Sequence, residues 1–428
     1  MIKVEEKKIP QHDLKTEKFL SPKKLYLPLR QHIGAASKEI VKEKEEVEEA
    51  QVLADLGGKV SSYLHSPKKG KVISIDYFNH PSLGRERAII IECQDEEKKY
   101  FERKNVAQLS KKDLLNIIKE AGIVGMGGAG FPTYVKLNPP KKIDTLIING
   151  CECEPYLAAD YRLMVENMEG IFKGIEIIAK IIEPKRVFFC VENNKPEAIK
   201  KINSILALKK YHLPLTQLIV LKSAYPQGGE KQLIYKVTKR KVPPQSLPFD
   251  VGCLVHNVAT CFSIYEAVYF SKPLIEKIVT FAGDALESSK NLWVKIGTLV
   301  SELFERGILK FKKDPKKVIF GGPMMGIALK NLDYPILKTT GGVLFLSDEV
   351  DFEEERRCLH CARCVDVCPM GLVPLEFVKY VKNKEYARLN DIFIKDCIEC
   401  GMCSFVCPAK IPIVHYIKIG KLYAAGSK

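Results

Sequence analysis

The chain has 428 residues, 46% hydrophobic and 28% charged, which is the composition of a folded protein of several domains. A formal charge of +15 gives a lysine-rich surface that suits an acidic redox partner or an anionic membrane face; with one tryptophan and no aromatic–basic ladder it argues against nucleic acid. No window is apolar for long enough to span a bilayer, and "MIKVEEKKIPQHDLKTEKF" at the N-terminus has no secretory core, so a cytoplasmic location is expected.

In chain order, residues 1–20 read as a loose arm. Short β-type runs follow from 25 to 93, including "GKVISIDYF" (70–78) and "RAIIIEC" (87–93), with "HSPKKGKV" (65–72) as a turn entering a strand. "KEIVKEKEEVEEAQVLADL" (38–56) has helix propensity, but the strands around it favour a small β domain. From 110 to 275 helical and strand patterns alternate, the mark of an α/β layer. A helix is predicted over 110–123 with Ser110 as its cap, strands over 143–150 and 186–192, and an amphipathic helix over 168–182. Residues 273–329 read as strands around one helix at 298–307. The acidic stretch "DEVDFEEERR" (348–357) is a linker or a helix start, and "PLEFVKYVKNKEYARLNDIF" (374–393) is helical.

Fourteen cysteines are present, and eight fall in two copies of one phrase. "CLHCARCVDVC" (358–368) and "CIECGMCSFVC" (397–407) each read C-x2-C-x2-C-x3-C and are followed by proline. This is the bacterial ferredoxin spacing: three thiolates from one tight loop wrap a cluster, and the fourth reaches the other cluster. Zinc uses paired C-x2-C knuckles instead. Two 4Fe–4S clusters are expected, one on Cys358, Cys361, Cys364 and Cys407, the other on Cys397, Cys400, Cys403 and Cys368. Of the remaining cysteines, Cys93, Cys190, Cys253 and Cys261 lie in apolar runs and read as core thiols.

"GIVGMGGAGFPTYVKL" (122–137) is glycine-rich. Gly125, Gly127, Gly128 and Gly130 allow close approach of a ligand and expose N–H groups suited to phosphate, and Lys136 adds a positive charge. It is not a Rossmann fingerprint, since it does not open a helix after the first strand of a βαβ unit. "INGCECEPY" (148–156) places Asn149, Glu152 and Glu154 just after a strand, where α/β proteins hold ligands. "YPQGGEKQL" (225–233) offers Glu230, and "VHNVATC" (255–261) offers Asn257 and Thr260.

These stretches resemble the NADH-binding, FMN-carrying subunit of respiratory complex I, whose loop reads close to G-R-G-G-A-G-F-P-T-G-x-K. The similarity to the RnfC family, a component of Rnf ion-translocating electron-transport complexes, is closer. That family joins the same flavin motifs, the phrase "INGCECEPYLAADYRLM" and two C-terminal ferredoxin runs in this order, and "PLRQHIGA" (28–35) resembles its N-terminal domain. Met126, Cys151 and His256 depart from the complex I wording, and Lys44 and Ala50 stand where glycines of the barrel turns are expected.

The resemblance implies a multidomain α/β protein. Its parts are a flexible arm (1–23), a barrel-sandwich-like β domain (24–105), an FMN/NADH-binding α/β domain (106–268), a small β-grasp ligand-binding-like domain (269–347) and an α-helical two-cluster ferredoxin-like domain (348–428). It implies FMN at Gly125, Gly127, Gly128, Lys136, Asn149, Glu152, Asn257 and Thr260, and NADH near Phe131, Glu154 and Glu230. No side chain is expected to be a catalytic acid, base or nucleophile, because the cofactors carry the chemistry. The implied function is that of a peripheral, NAD-side subunit on the cytoplasmic face of the membrane. It would move electrons between NADH/NAD and ferredoxin-linked centres, with membrane-embedded and ferredoxin-like partner subunits coupling the flow to ion translocation. Two alternatives stay open: a soluble flavin/iron–sulfur cobalamin reductase, and an electron carrier without NADH activity.

Overall fold

The computed structural model describes residues 4–8, 11–96, 98–103, 105–347 and 354–426. Near its N-terminus two small antiparallel sheets face each other. One has the strand order Lys24–Pro28, Gly84–Cys93, Gly70–His80, Glu46–Val47; the other joins Lys38–Glu39, Val52–Asp55 and Leu64–His65. Alternate residues of "RAIIIEC" point inward, so Ile89 and Ile91 are fully buried beside Leu25, Leu27 and Leu53. The stretch 38–56 is strand and turn rather than helix. Lys44 (φ 70°) and Ala50 (φ 69°) take left-handed backbone conformations that a helix cannot contain.

The arm is not loose. Thr16–Phe19 forms a parallel edge strand against Asn291–Val294, and Phe19 is buried. The Asn291 amide donates to the carbonyls of Gln11 (2.8 Å) and Leu14 (3.1 Å). Lys8 is buried and its ammonium donates to the carbonyls of Leu157 (2.9 Å) and Glu152. The arm looks solvated in sequence because the partners of Lys8 and of Glu17 lie far along the chain.

The α/β domain holds a four-stranded parallel sheet, ordered Leu215–Leu221, Arg186–Glu192, Thr145–Gly150, Cys253–Asn257. Both faces of the central strand are covered, which explains its unbroken apolar run. Leu146 and Ile148 pack toward the helices Ala159–Ile182 and Val258–Phe270, while Ile147 packs with Cys190, Cys253 and Leu233. The predicted helix at 110–123 forms over Lys111–Glu120. The Ser110 hydroxyl accepts from the Asp113 N–H, and the Asp113 carboxylate accepts from the Ser110 N–H. The helix predicted at 168–182 begins nine residues earlier, at Ala159, and is interrupted by a non-helical Asn167.

A six-stranded mixed sheet follows, ordered Thr16–Phe19, Lys290–Lys295, Glu276–Ala282, Gly342–Leu346, Lys317–Phe320, Ile327–Leu329, with the helix Val300–Glu305 beside it. Of the acidic stretch 348–357, residues 348–353 lie outside the described residues, and 354–357 have no helix. The C-terminal unit is helical. The pattern at 374–393 splits into Pro374–Lys382 and Arg388–Asp391, because Lys384 takes a left-handed conformation (φ 59°) between them.

Candidate functional site

The chain path over the parallel sheet reverses at the central strand. After Thr145–Gly150 it runs outward to one side, and it returns on the other at Cys253–Asn257. A crevice at the carboxyl ends of two such strands is where open α/β sheets bind ligands. Asn149 and Asn257 stand there as register partners. The Asn149 amide donates to the Gly228 carbonyl (2.9 Å), and its oxygen accepts from the Cys151 N–H (3.1 Å). Asn257 caps the next helix, accepting from the Ala259 N–H (2.8 Å), and donates to Asp160 (2.6 Å).

The glycine-rich loop packs onto this end of the sheet. The Met126 N–H donates to Thr260 Oγ1 (3.1 Å), tying the loop to the helix that Asn257 caps. A methyl group at Gly127 would come within 2.8 Å of Asn257 Cβ, whereas one at Gly128 would meet no protein atom within 4 Å. Gly127 is thus packed on Asn257, Thr260 holds the loop at Met126, and Asn149 stands in register beside Asn257. Lys136 and Glu230 form an ion pair (2.7 Å), and Phe131 is exposed in the loop.

The two glutamates of "INGCECEPY" do different work. Glu152 has a left-handed backbone (φ 45°), and its carboxylate accepts from the Asp160 (2.7 Å) and Tyr161 (3.0 Å) N–H groups at the start of the long helix. Burial and the Glu152 charge push the Asp160 carboxyl up to about 7. Glu154 turns the other way. Its carboxylate is buried, accepts from the N–H groups of Met324 (3.1 Å) and Met325 (2.9 Å), and lies 3.3 Å from the Tyr225 hydroxyl. Burial pushes it up to about 7 against these bonds.

Two buried polar atoms on these elements have no protein partner: Thr133 Oγ1, where the loop enters a short helix, and His256 Nε2, next to Asn257. Burial, with the Lys136 charge nearby, holds His256 neutral. Unsatisfied buried groups are costly, so a polar ligand that reaches them repays its own desolvation. The open position at Gly128 and these two unpartnered polar atoms fit a polar cofactor such as FMN.

The cysteines gather crosswise. Cys364 is raised by burial and lies near Cys407 and Cys358. Cys403 is pushed up to about 12 by burial and lies near Cys397, Cys400 and Cys368. The second group lines an apolar hollow walled by Leu372, Phe377 and Met402. Four soft thiols around an apolar hollow fit a cubane cluster, whose binding displaces the thiol protons. Cys358 and Cys361 are exposed, while Cys400 and Cys403 are buried. Cys151 is buried and Cys153 half-buried on the loop after Asn149, and among the described residues no group of three or more His, Cys, Asp or Glu is placed to hold a single metal ion.

A ligand crevice at a switch point, joined to two crossed sets of four cysteines, defines a flavin and iron–sulfur electron-transfer protein. Residues 118–266 match the Nuo51 FMN-binding domain, 2–97 the RnfC barrel sandwich hybrid domain, and 357–411 the 4Fe-4S dicluster domain. The RnfC-type component of the proton-translocating ferredoxin:NAD(+) oxidoreductase complex of Clostridium ljungdahlii is 43% identical over 82% of this chain and 77% of its own length. The corresponding component of the ion-translocating oxidoreductase complex of Rhodobacter capsulatus is 39% identical over 83% and 69%. That of Pectobacterium atrosepticum is 40% identical over 93% of this chain and 57% of the longer relative. Among solved structures, an NAD+-reducing NiFe-hydrogenase in the H2-reduced state aligns over 75% of this chain and 55% of that one, with 18% identity and a TM-score of 0.49. The chain belongs to the RnfC family of ion-translocating oxidoreductase complexes. It carries an FMN-binding domain and a 4Fe–4S dicluster domain.

Sequence reasoning missed Lys8, Asp160, Lys195 and Tyr225. The ammonium of Lys195, fully buried, donates to Asn194 Oδ1 (3.0 Å), to Glu192 (3.3 Å) and to the Cys151 carbonyl, so it and Lys8 hold the loop after Asn149 from beneath. Nothing local marks a lysine for such burial. Tyr225 adjoins the glycine turn that offered Glu230 and could have been read with it.

Proposed function

We propose that this chain is the peripheral, NAD-side member of a membrane Rnf-type complex, exchanging electrons between NADH/NAD and ferredoxin-linked partner subunits. FMN, when bound, takes electrons in pairs from NADH and releases them singly to iron–sulfur centres. The residues proposed to hold it are Gly125, Gly127, Gly128, Lys136, Asn149, Asn257 and Thr260, with Glu152 acting through the turn it caps. Phe131 and Glu230 border the side proposed for NADH. The proposed units are 24–105, 106–268, 269–347 as a β-grasp-like domain, and 348–428.

One observation carries the reading: the two cysteine sets differ in burial. Cys400 and Cys403 are buried, and the Cys400 loop packs on Tyr225 of the α/β domain; Cys358 and Cys361 are exposed. This supports an inner set that trades electrons with the flavin domain and an outer set that trades them with a partner. Among the described residues no helix is long and apolar enough to cross a membrane, and we assign the membrane-embedded and ferredoxin-like roles, and ion translocation, to partner subunits, with this chain on the cytoplasmic side.

The test is anaerobic reconstitution with FMN, iron and sulfide, then titration with NADH while absorbance is recorded. Bleaching of the flavin band and of the broad cluster absorbance is expected. Clusters that dithionite reduces but NADH leaves untouched, with FMN bound, would overturn NADH entry.

A further inference from the structure

The Cys397–Cys403 loop is wedged into the rest of the molecule at one place. Cys400 and Met402 are buried in a small cluster with Tyr225, against which Cys153 and Met324 pack. Tyr225 is 2% exposed, and its hydroxyl donates to the Cys400 carbonyl at 2.8 Å. The same hydroxyl lies 3.3 Å from Glu154, whose carboxylate also takes the Met324 and Met325 N–H groups. Gly401 (φ 80°) sits so close to the Met324 carbonyl that a methyl group there would lie at 2.3 Å. Three elements far apart in sequence thus meet on the backbone of one proposed cluster ligand. Around this contact the Gln232 amide donates to the Pro369 carbonyl (3.2 Å), and Lys231 pairs with Asp396 (3.2 Å).

We propose that Glu154, Tyr225 and the Cys400 carbonyl form a hydrogen-bonded joint that seats the inner cysteine loop on the flavin domain. Tyr225 is then a positioning residue for electron passage between the two, a role distinct from any contact of Glu154 with NADH. A carboxylate held by two N–H donors is fixed in place, and the Tyr225 hydroxyl, lying against it, gives its one proton to the Cys400 carbonyl and so fixes that peptide. Hydrogen bonds to the peptides around a cluster also tune its potential, so the joint sets both distance and driving force. The inference rests on the function proposed above.

The experiment uses the full chain with FMN and clusters reconstituted, comparing wild type, Tyr225→Phe, Glu154→Gln and, as a control, Tyr235→Phe at an exposed position. EPR-monitored titration with dithionite reports each cluster's midpoint potential without NADH. Stopped-flow absorbance reports how fast cluster bleaching follows flavin bleaching. In Tyr225→Phe we expect one of the two cluster potentials to move and the other to stay, with cluster bleaching slowed severalfold and NADH–ferricyanide turnover retained. Glu154→Gln should shift the same cluster, and Tyr235→Phe neither. If Tyr225→Phe loads both clusters yet leaves both potentials and the rate unchanged, the joint is only packing and the proposal is wrong. Should Tyr225→Phe lose its clusters, Glu154→Gln decides by the dithionite-titrated cluster potentials alone: one moved and the other unmoved supports the joint, both unmoved overturns it. Failure of NADH to bleach wild-type flavin would count against the proposed function alone, because the dithionite titration still judges the joint.

Discussion

Asn149 and Asn257 face each other in register at the carboxyl ends of neighbouring parallel strands, and each turns its side-chain oxygen onto an N–H two residues ahead. The pair opens two chain segments at one point and leaves a crevice between them. Replacing Asn257 by Ala removes a helix cap and a donor to Asp160. We expect a loss of about 1 kcal/mol in urea unfolding, and weaker FMN retention on gel filtration. Unchanged retention would remove Asn257 from the cofactor site.

Gly127 and Gly128 separate protein packing from ligand contact. Gly127→Ala collides with Asn257 and should lower the melting temperature of the FMN-free chain. Gly128→Ala touches no protein atom, so the FMN-free melting temperature should stay and only FMN affinity, read by flavin fluorescence, should fall. Full affinity in Gly128→Ala would place the cofactor elsewhere.

The crosswise grouping of cysteines predicts which substitutions share a phenotype. Cys407→Ser should erase the same EPR signal as Cys361→Ser, and Cys368→Ser the same one as Cys400→Ser, although in each pair the residues come from different runs. Loss following sequence neighbours instead would refute the crossing.

Glu276 provides a pH test of the fold. It pairs with Lys272 (2.7 Å) and Lys295 (2.8 Å). Burial alone pushes its carboxyl up, but the two ammonium groups overrule it and bring it down from 4.5 to about 2. The unfolded chain therefore binds the proton more readily, so this contribution is full above pH 4.5 and is lost as pH falls toward 2. We expect Glu276→Gln to cost roughly 3 kcal/mol near neutrality, with the gap to wild type closing through that window. A gap that does not change with pH would show that the charge is immaterial.

Local signals were legible in the sequence. The cluster spacing, the Ser110 cap, the strands at 70–78 and 87–93 and the alternation of the α/β layer depend on neighbours within a few residues. What escaped depends on distant partners. Lys8 and Glu17 read as arm charges because their partners lie at Glu152, Leu157 and Lys290. The run at 38–56 has helix propensity, but the strands around it favour a β domain, and the left-handed turns at Lys44 and Ala50 agree with that reading: tertiary packing overrides propensity. Glu152 and Glu154 are alike in sequence, and only the fold shows one capping a helix and the other turned toward Cys400.

The edge strand Thr16–Phe19 has a consequence for how the molecule is made. Glu17 and its ion-pair partner Lys290 are 273 positions apart. At the pace of translation the strand waits roughly 14 to 55 s for its neighbour to be synthesised. Throughout that interval the strand has no neighbouring strand to pair with, although the Thr16 N–H already has Glu166 to donate to. The mixed sheet therefore closes late, after the strands of the flavin domain, which end at Asn257, have all been made.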